Sequence, residues 1–142
     1  MWIDKQLMFS EDQSLISSAS DIITSTNILD VGDAKKGEGN PIEVFAALTT
    51  AMVADITTTS TSTVRARLIT SAFEGMTGST TLYDTGALAY TSWDAIGDGP
   101  LIRVLPDDAK QYLAWQIDIG AGADFTAGAF SSNLVLGKQS NI

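Results

Sequence analysis

Oxygen-bearing side chains are the best candidates for chemistry in this chain, and they gather in a few places. Asp30 and Asp33 lie close to Glu38 and Asn40, an all-oxygen set of the kind that a hard cation such as calcium takes. The spacing is not that of an EF-hand loop, and the same residues are better explained as ordinary loop acids that solubilise a turn. Asp107 and Asp108 are adjacent. In an extended chain such neighbours point to opposite sides, so they do not form an acid–base pair on one substrate and instead read as a turn. Serines are plentiful, but the chain has no histidine and no cysteine. That removes the usual base for a serine nucleophile, the commonest metal ligand and any thiolate. No lysine follows a serine at the spacing that lets lysine act as the base instead. Gly37-Glu38-Gly39 lacks the third glycine of a dinucleotide loop, and Gly137-Lys138 has no upstream glycine at the spacing of a phosphate-binding loop. Tyr90, Trp93 and Asp94 sit together beside a loop. An aromatic ring next to a carboxylate is how many sugar sites are built, although a tryptophan at such a place more often serves simply as an edge-of-core residue. The expectation is a protein with no catalytic residues, no metal site and no cofactor, and not an enzyme.

Eight basic against 17 acidic residues give a formal net charge of −9. The average field of such a molecule repels nucleic-acid phosphates and anionic membrane surfaces, so neither is expected as a partner. Asp4, Lys5 and Gln6 interrupt what would have to be the apolar stretch of a signal peptide, and no run reaches membrane-spanning length. The chain reads as soluble and unprocessed. With 142 residues, 44% of them hydrophobic, it is long enough to bury one core, and without disulfides its stability has to come from packing and association.

The elements that must position these residues read as strands. Leu113, Trp115, Ile117 and Ile119 alternate with Tyr112, Ala114, Gln116 and Asp118, the period of a half-buried strand. Gly120, Gly122 and Asp124 break that run. Phe130, Ser132, Leu134 and Leu136 then share one face of a second strand, making a hairpin. Pro41 bounds a Gly-rich loop before the alternation of Ile42, Val44, Ala46 and Leu48, for which strand is favoured over helix. Thr and Ser dominate 56–63, and Val64, Ala66 and Leu68 follow, alternating with Arg65 and Arg67 on a face expected to meet solvent. Further short strands fall at 80–84, 87–93 and 101–105. About eight strands punctuated by Gly, Pro and Asp predict an all-β fold, an antiparallel jelly-roll-like β-sandwich. Residues 1–26 lack this period and are expected to form an extended N-terminal arm, with the body at 27–142. Within the arm, Ser10-Glu11-Asp12-Gln13 has the spacing of a helix capping box, so the segment reads as one short helical turn or, with equal weight, as a floppy terminus. Trp2, Ile3, Leu7, Met8 and Phe9 precede the first convincing strand, and so much apolar surface is expected to dock on the body or on a neighbour.

Taken in order, FSEDQSL, STNILDVG, GEGNPIEV, LITSAFEGM, TLYDTGAL, LIRVLP and YLAWQIDIGAGADFTAGAFSSNLV resemble segments of the jelly-roll capsid cement, or decoration, proteins of tailed bacteriophages. The resemblance spans nearly the whole chain and departs from the family at 57–63 and in the tail 138–142. It implies a viral structural protein, a homotrimer on the outer surface of the virion that grips the major capsid protein between subunits and stabilises the shell. In that reading Trp2, Ile3, Leu7, Met8 and Phe9 belong to the capsid or subunit interface. The competing expectation is a β-sandwich binding module for carbohydrate or a host surface.

Overall fold

The computed structural model describes residues 8–16, 21–32, 42–54, 63–93, 95–97, 99, 101–102, 108–120 and 124–136. Ten strands follow one another: β1 (Met8–Ser14), β2 (Ile22–Thr24), β3 (Leu29–Asp30), β4 (Ile42–Ala54), β5 (Thr63–Ser71), β6 (Thr80–Asp84), β7 (Leu88–Ala89), β8 (Leu101–Ile102), β9 (Tyr112–Ile119) and β10 (Phe125–Leu136). A 3-10 helix, Tyr90–Trp93, follows β7, and there is no α-helix among the described residues. The fold is all-β. One sheet has the order β1-β10-β4-β8 and the other β2-β9-β5-β6, with β3 also on β9 and β7 also on β5. Every pairing is antiparallel.

The period-2 pattern explains the core. Leu113, Trp115, Ile117 and Ile119 of β9 are fully buried, as are Val64, Ala66 and Leu68 of β5. From the other sheet come Val44, Leu48 and Met52 of β4 with Phe125, Phe130 and Leu134 of β10, and together with Phe9, Leu15 and Leu29 they form one apolar cluster. A single cluster lined by two sheets is a sandwich. As expected, Ile42–Ala54 is a strand, and its long ladder with β10 runs from Ile42↔Leu136 to Ala54↔Phe125. Gly128, buried and at φ +141, lies where the register of this ladder shifts between Ala127 and Ala129. A Cβ there would lie 3.1 Å from Met52 Cγ and 3.4 Å from Leu15 Cβ, so glycine suits both the conformation and the space.

The N-terminal expectation needs correcting. Met8–Ser14 is no arm outside the body but the edge strand of the first sheet, Phe9 is fully buried in the core, and Ile22–Thr24 pairs with β9. Nor is Ser10–Gln13 a helical turn. Asp12 adopts φ +47 and the register with β10 shifts between Met8 and Ser10 and again between Ser10 and Gln13. These bulges scramble the alternation along β1, which is why the segment shows no strand period.

Candidate interaction surface

The groups singled out for chemistry lie only partly among the described residues. Asp30 Oδ1 accepts the Gly32 N–H at 2.9 Å and Oδ2 accepts from Gln111 Nε2 at 3.3 Å, so its carboxylate serves a turn and the approach to β9. Asp33, Glu38 and Asn40 lie outside the described residues, as do Gly37, Gly39, Asp107, Gly137 and Lys138. No group of three or more acids with metal-ligand geometry occurs among the described residues. Tyr90 is half-buried, its ring edge-on to Phe125 with centroids 5.9 Å apart and planes at 69°. That orientation turns the ring toward the core rather than offering it as a platform for a sugar. Trp93 ends the 3-10 helix, and Asp94 lies outside the described residues. Of the apolar N-terminal set, Trp2, Ile3 and Leu7 also lie outside them. Met8 is half-buried at the sheet edge and Phe9 belongs to the core.

What the structure does assemble is a polar clamp along one side of the sandwich. Between β2 and β3 the chain leaves the edge of β9 and makes a corner over Ser25–Ile28, which meets the free edge of β1. The Asn27 N–H donates to the Phe9 carbonyl at 2.8 Å and Asn27 Nδ2 to the Met8 carbonyl at 3.2 Å. The Thr26 N–H is shared between Ser10 Oγ at 3.2 Å and Gln13 Oε1 at 3.0 Å, Ser10 Oγ donates to Gln13 Oε1, and Gln13 Nε2 donates to the Thr24 carbonyl at 2.7 Å. Buried Ser25 takes over the interrupted ladder: its N–H donates to the Trp115 carbonyl at 2.8 Å, and its hydroxyl accepts the Trp115 N–H at 3.1 Å while donating to the Asn27 carbonyl at 2.9 Å. An edge that would otherwise expose unpaired backbone groups is thereby covered.

The outer face of the second sheet carries charge that is largely satisfied within the chain. Arg65 forms a two-point pair with Asp84, Nε to Oδ1 at 2.8 Å and Nη2 to Oδ2, and Arg67 Nη2 lies 3.6 Å from Asp118 Oδ2. The Arg65 hydrogen bond, seconded by the Gly86 N–H at 2.8 Å, lowers the Asp84 carboxyl to about 2. The same partner raises Arg65. The arginines expected on one outward face are there, with acids of their own chain.

Among the described residues the exposed large apolar side chains include Ile96, the most exposed at 73%, Ile28 at the clamp's corner and Leu88 of β7, with others at the two ends of the sandwich. At one end are Ile16, just past β1, Ile22 opposite Asp118, and Val53 opposite Ala127. At the other, beyond the Ser71↔Tyr112 pair, Phe73 projects with 64% of its surface exposed. Sequence reading passed over Phe73, because LITSAF resembles the end of a strand and nothing local marks which aromatic lacks a core to enter. No protein-family model and no curated protein matches the chain.

Proposed function

We propose that this chain is a capsid cement protein: a viral structural protein that binds as a homotrimer to the outside of a tailed-phage shell, between major capsid protein subunits, and stabilises it. The observation that carries the reading is how the family-like segments meet. FSEDQSL and STNILDVG are the two halves of the polar clamp, YLAWQIDI supplies the Trp115 backbone that holds its corner, and TAGAFSSNLV supplies Gly128, whose carbonyl accepts the Leu15 N–H at 2.9 Å. In these four segments the resemblance falls on residues whose types the joints require. The winding supports it too. Counting β2 with β3 and β6 with β7 as single positions leaves eight, four per sheet, with the chain passing from one sheet to the other at every step except β5 to β6, which are neighbours in one sheet, and a jelly roll is built this way. Many symmetry-related copies turn modest single-site affinity into secure attachment.

The test is co-sedimentation of the purified chain with shells that lack it, alongside light scattering of the free protein. Stoichiometric, saturable binding by a species of three-chain mass is expected. Removing Met1–Leu7 tests Trp2, Ile3 and Leu7 as anchors without cutting into β1 or the buried Phe9. If they anchor, the truncated body melts cooperatively and binds shells poorly, and added salt matters less than the truncation because buried apolar area is not screened. A monomer that ignores shells and instead gives a saturable glycan signal overturns the reading.

A further inference from the structure

The outer faces of the two sheets differ in charge. On the second sheet, β5 and β9 turn Arg65, Arg67, Gln116 and Asp118 outward. The two central strands of the first sheet carry no charged residue over Val44–Ala54 and Phe125–Leu136, in a chain of which 18% is charged. Val44, Leu48, Phe130 and Leu134 enter the core, so the outer side of this ribbon presents Ala47 and Thr49 of β4 with Ala129 and Ser131 of β10, all half-buried. Among the described residues the acids of this sheet, Glu11, Asp12 and Glu43, stand at its margins. Side chains this small leave the sheet flat enough for another sheet to lie on it. Two oxygens on this face lack what an ordinary solvent face would give them. Asn133, opposite Met8 on β1 and Phe45 on β4, is only 3% exposed, and its Oδ1 has no donor among the described residues. Thr49 Oγ1 is likewise enclosed and without a partner there. A buried amide oxygen left without a hydrogen bond is costly, and native structures keep few of them.

We propose that this face is where copies of the chain meet: three β4–β10 ribbons turn their uncharged outer sides toward a common axis, and Asn133 Oδ1 accepts a hydrogen bond from the neighbouring copy. The proposal rests on the reading of the chain as a homotrimer and names the surface that closes it. Identical chains of net charge −9 repel one another, so the contact that joins them has to be one that sets no acid against another acid. The outer side of the second sheet meets that condition less well, because the Arg65–Asp84 and Arg67–Asp118 pairs would have to give up water on association. In a closed ring every copy uses the same surfaces, so a face turned to the axis is covered in all three alike.

The chain contains no cysteine, so a single introduced thiol reports on each face separately. Ala47→Cys on the first sheet and Gln116→Cys on the second, both at half-buried positions, are placed in the full-length chain and labelled with a maleimide across a dilution series, with mass followed by light scattering. Ala47→Cys should label at least tenfold more slowly in the trimer than in the diluted monomer, and Gln116→Cys at one rate throughout. Ala47→Lys should give monomer at concentrations where the wild type is a trimer, and Asn133→Ala should weaken association at least tenfold. A wild-type trimer whose Ala47→Cys form labels as fast as the monomer, or whose association is unchanged by Ala47→Lys or Asn133→Ala, overturns this face and leaves the homotrimer standing; a wild type that is monomeric at every concentration overturns both. Slow labelling of Ala47→Cys that persists in the monomer means that the chain's own residues cover the face, and protection that appears only when shells are added means that the capsid does. Either result overturns the proposal.

Discussion

The two long sides of the sandwich are closed by different chemistry. On one, β1 and the corner after β2 are sewn together by Ser10, Gln13, Ser25 and Asn27 through directed hydrogen bonds. On the other, the chain crosses from β7 toward β8, laying Tyr90 edge-on against Phe125 and donating the Gly97 N–H to the Leu48 carbonyl at 2.8 Å. The first closure depends on which polar atoms stand at four positions. The second depends mainly on shape and apolar area, which several residue types supply equally well. A polar seam adds modest net stability per bond, but it punishes the loss of any one partner, because the group left behind stays buried and unpaired.

Trp115 is where the two regimes touch. Its backbone is held by Ser25 and its ring meets Tyr83 in a T-shaped contact, centroids 6.4 Å apart and planes at 81°. Trp115→Ala should therefore have the largest effect, about 3–5 kcal/mol for an aromatic deleted from a packed core. Tyr112→Ala, at a half-buried position on the opposite face of β9, should cost clearly less. Denaturant midpoints ranking the two the other way would break the assignment of inward and outward faces on which the comparison depends.

Next in size come substitutions that separate the two closures. Ser25→Ala strips the acceptor for the Trp115 N–H and the donor to the Asn27 carbonyl at a site 5% exposed, and should cost about 1–3 kcal/mol. Tyr90→Phe keeps the ring that packs on Phe125 and should stay within about 0.5 kcal/mol of the wild type. Equal costs in chemical denaturation would mean that the polar seam is no more exacting than the aromatic one.

This contrast also explains how much was legible in the sequence. The apolar alternation of β9 and of Val64–Leu68 reports directly on burial, so the all-β class, the inward face and the outward arginines could be read from it. The clamp could not. Ser10 and Gln13, three residues apart, satisfy a helix capping box and a bulged edge strand alike, since both bring the two side chains together. What separates them is the N–H of Thr26, sixteen residues on, and local spacing carries no information about so distant a donor. Phe73 was missed for the complementary reason: an aromatic held out of the core by a turn looks, in sequence, like one entering it.

The smallest effect is expected from a third kind of contact, the Arg65–Asp84 pair on the solvent side of the second sheet, which belongs to neither closure. Its signature is pH dependence. Folding lowers the Asp84 carboxyl from 3.8 to about 2, chiefly through the Arg65 hydrogen bond and then the Gly86 N–H. A group depressed in the folded state contributes stability that is fully present above its unfolded value and is lost as pH falls through its folded value, so for Asp84 the window runs from about pH 4 down to about pH 2. Carboxyl-detected NMR should show Asp84 titrating with a midpoint near 2, and Arg65→Gln should move that midpoint back toward the ordinary carboxylate range. With 29% of the Asp84 and 40% of the Arg65 side chain exposed, solvent screens the pair, and the change in melting temperature should be the smallest of the series. The clamp holds no ionisable side chain among Ser10, Gln13, Ser25 and Asn27, so the cost of Ser25→Ala should be the same on either side of that window. If Asp84 instead titrates as a free carboxylate, the pair is not formed in solution, and Arg65 becomes available to an acidic partner on that face.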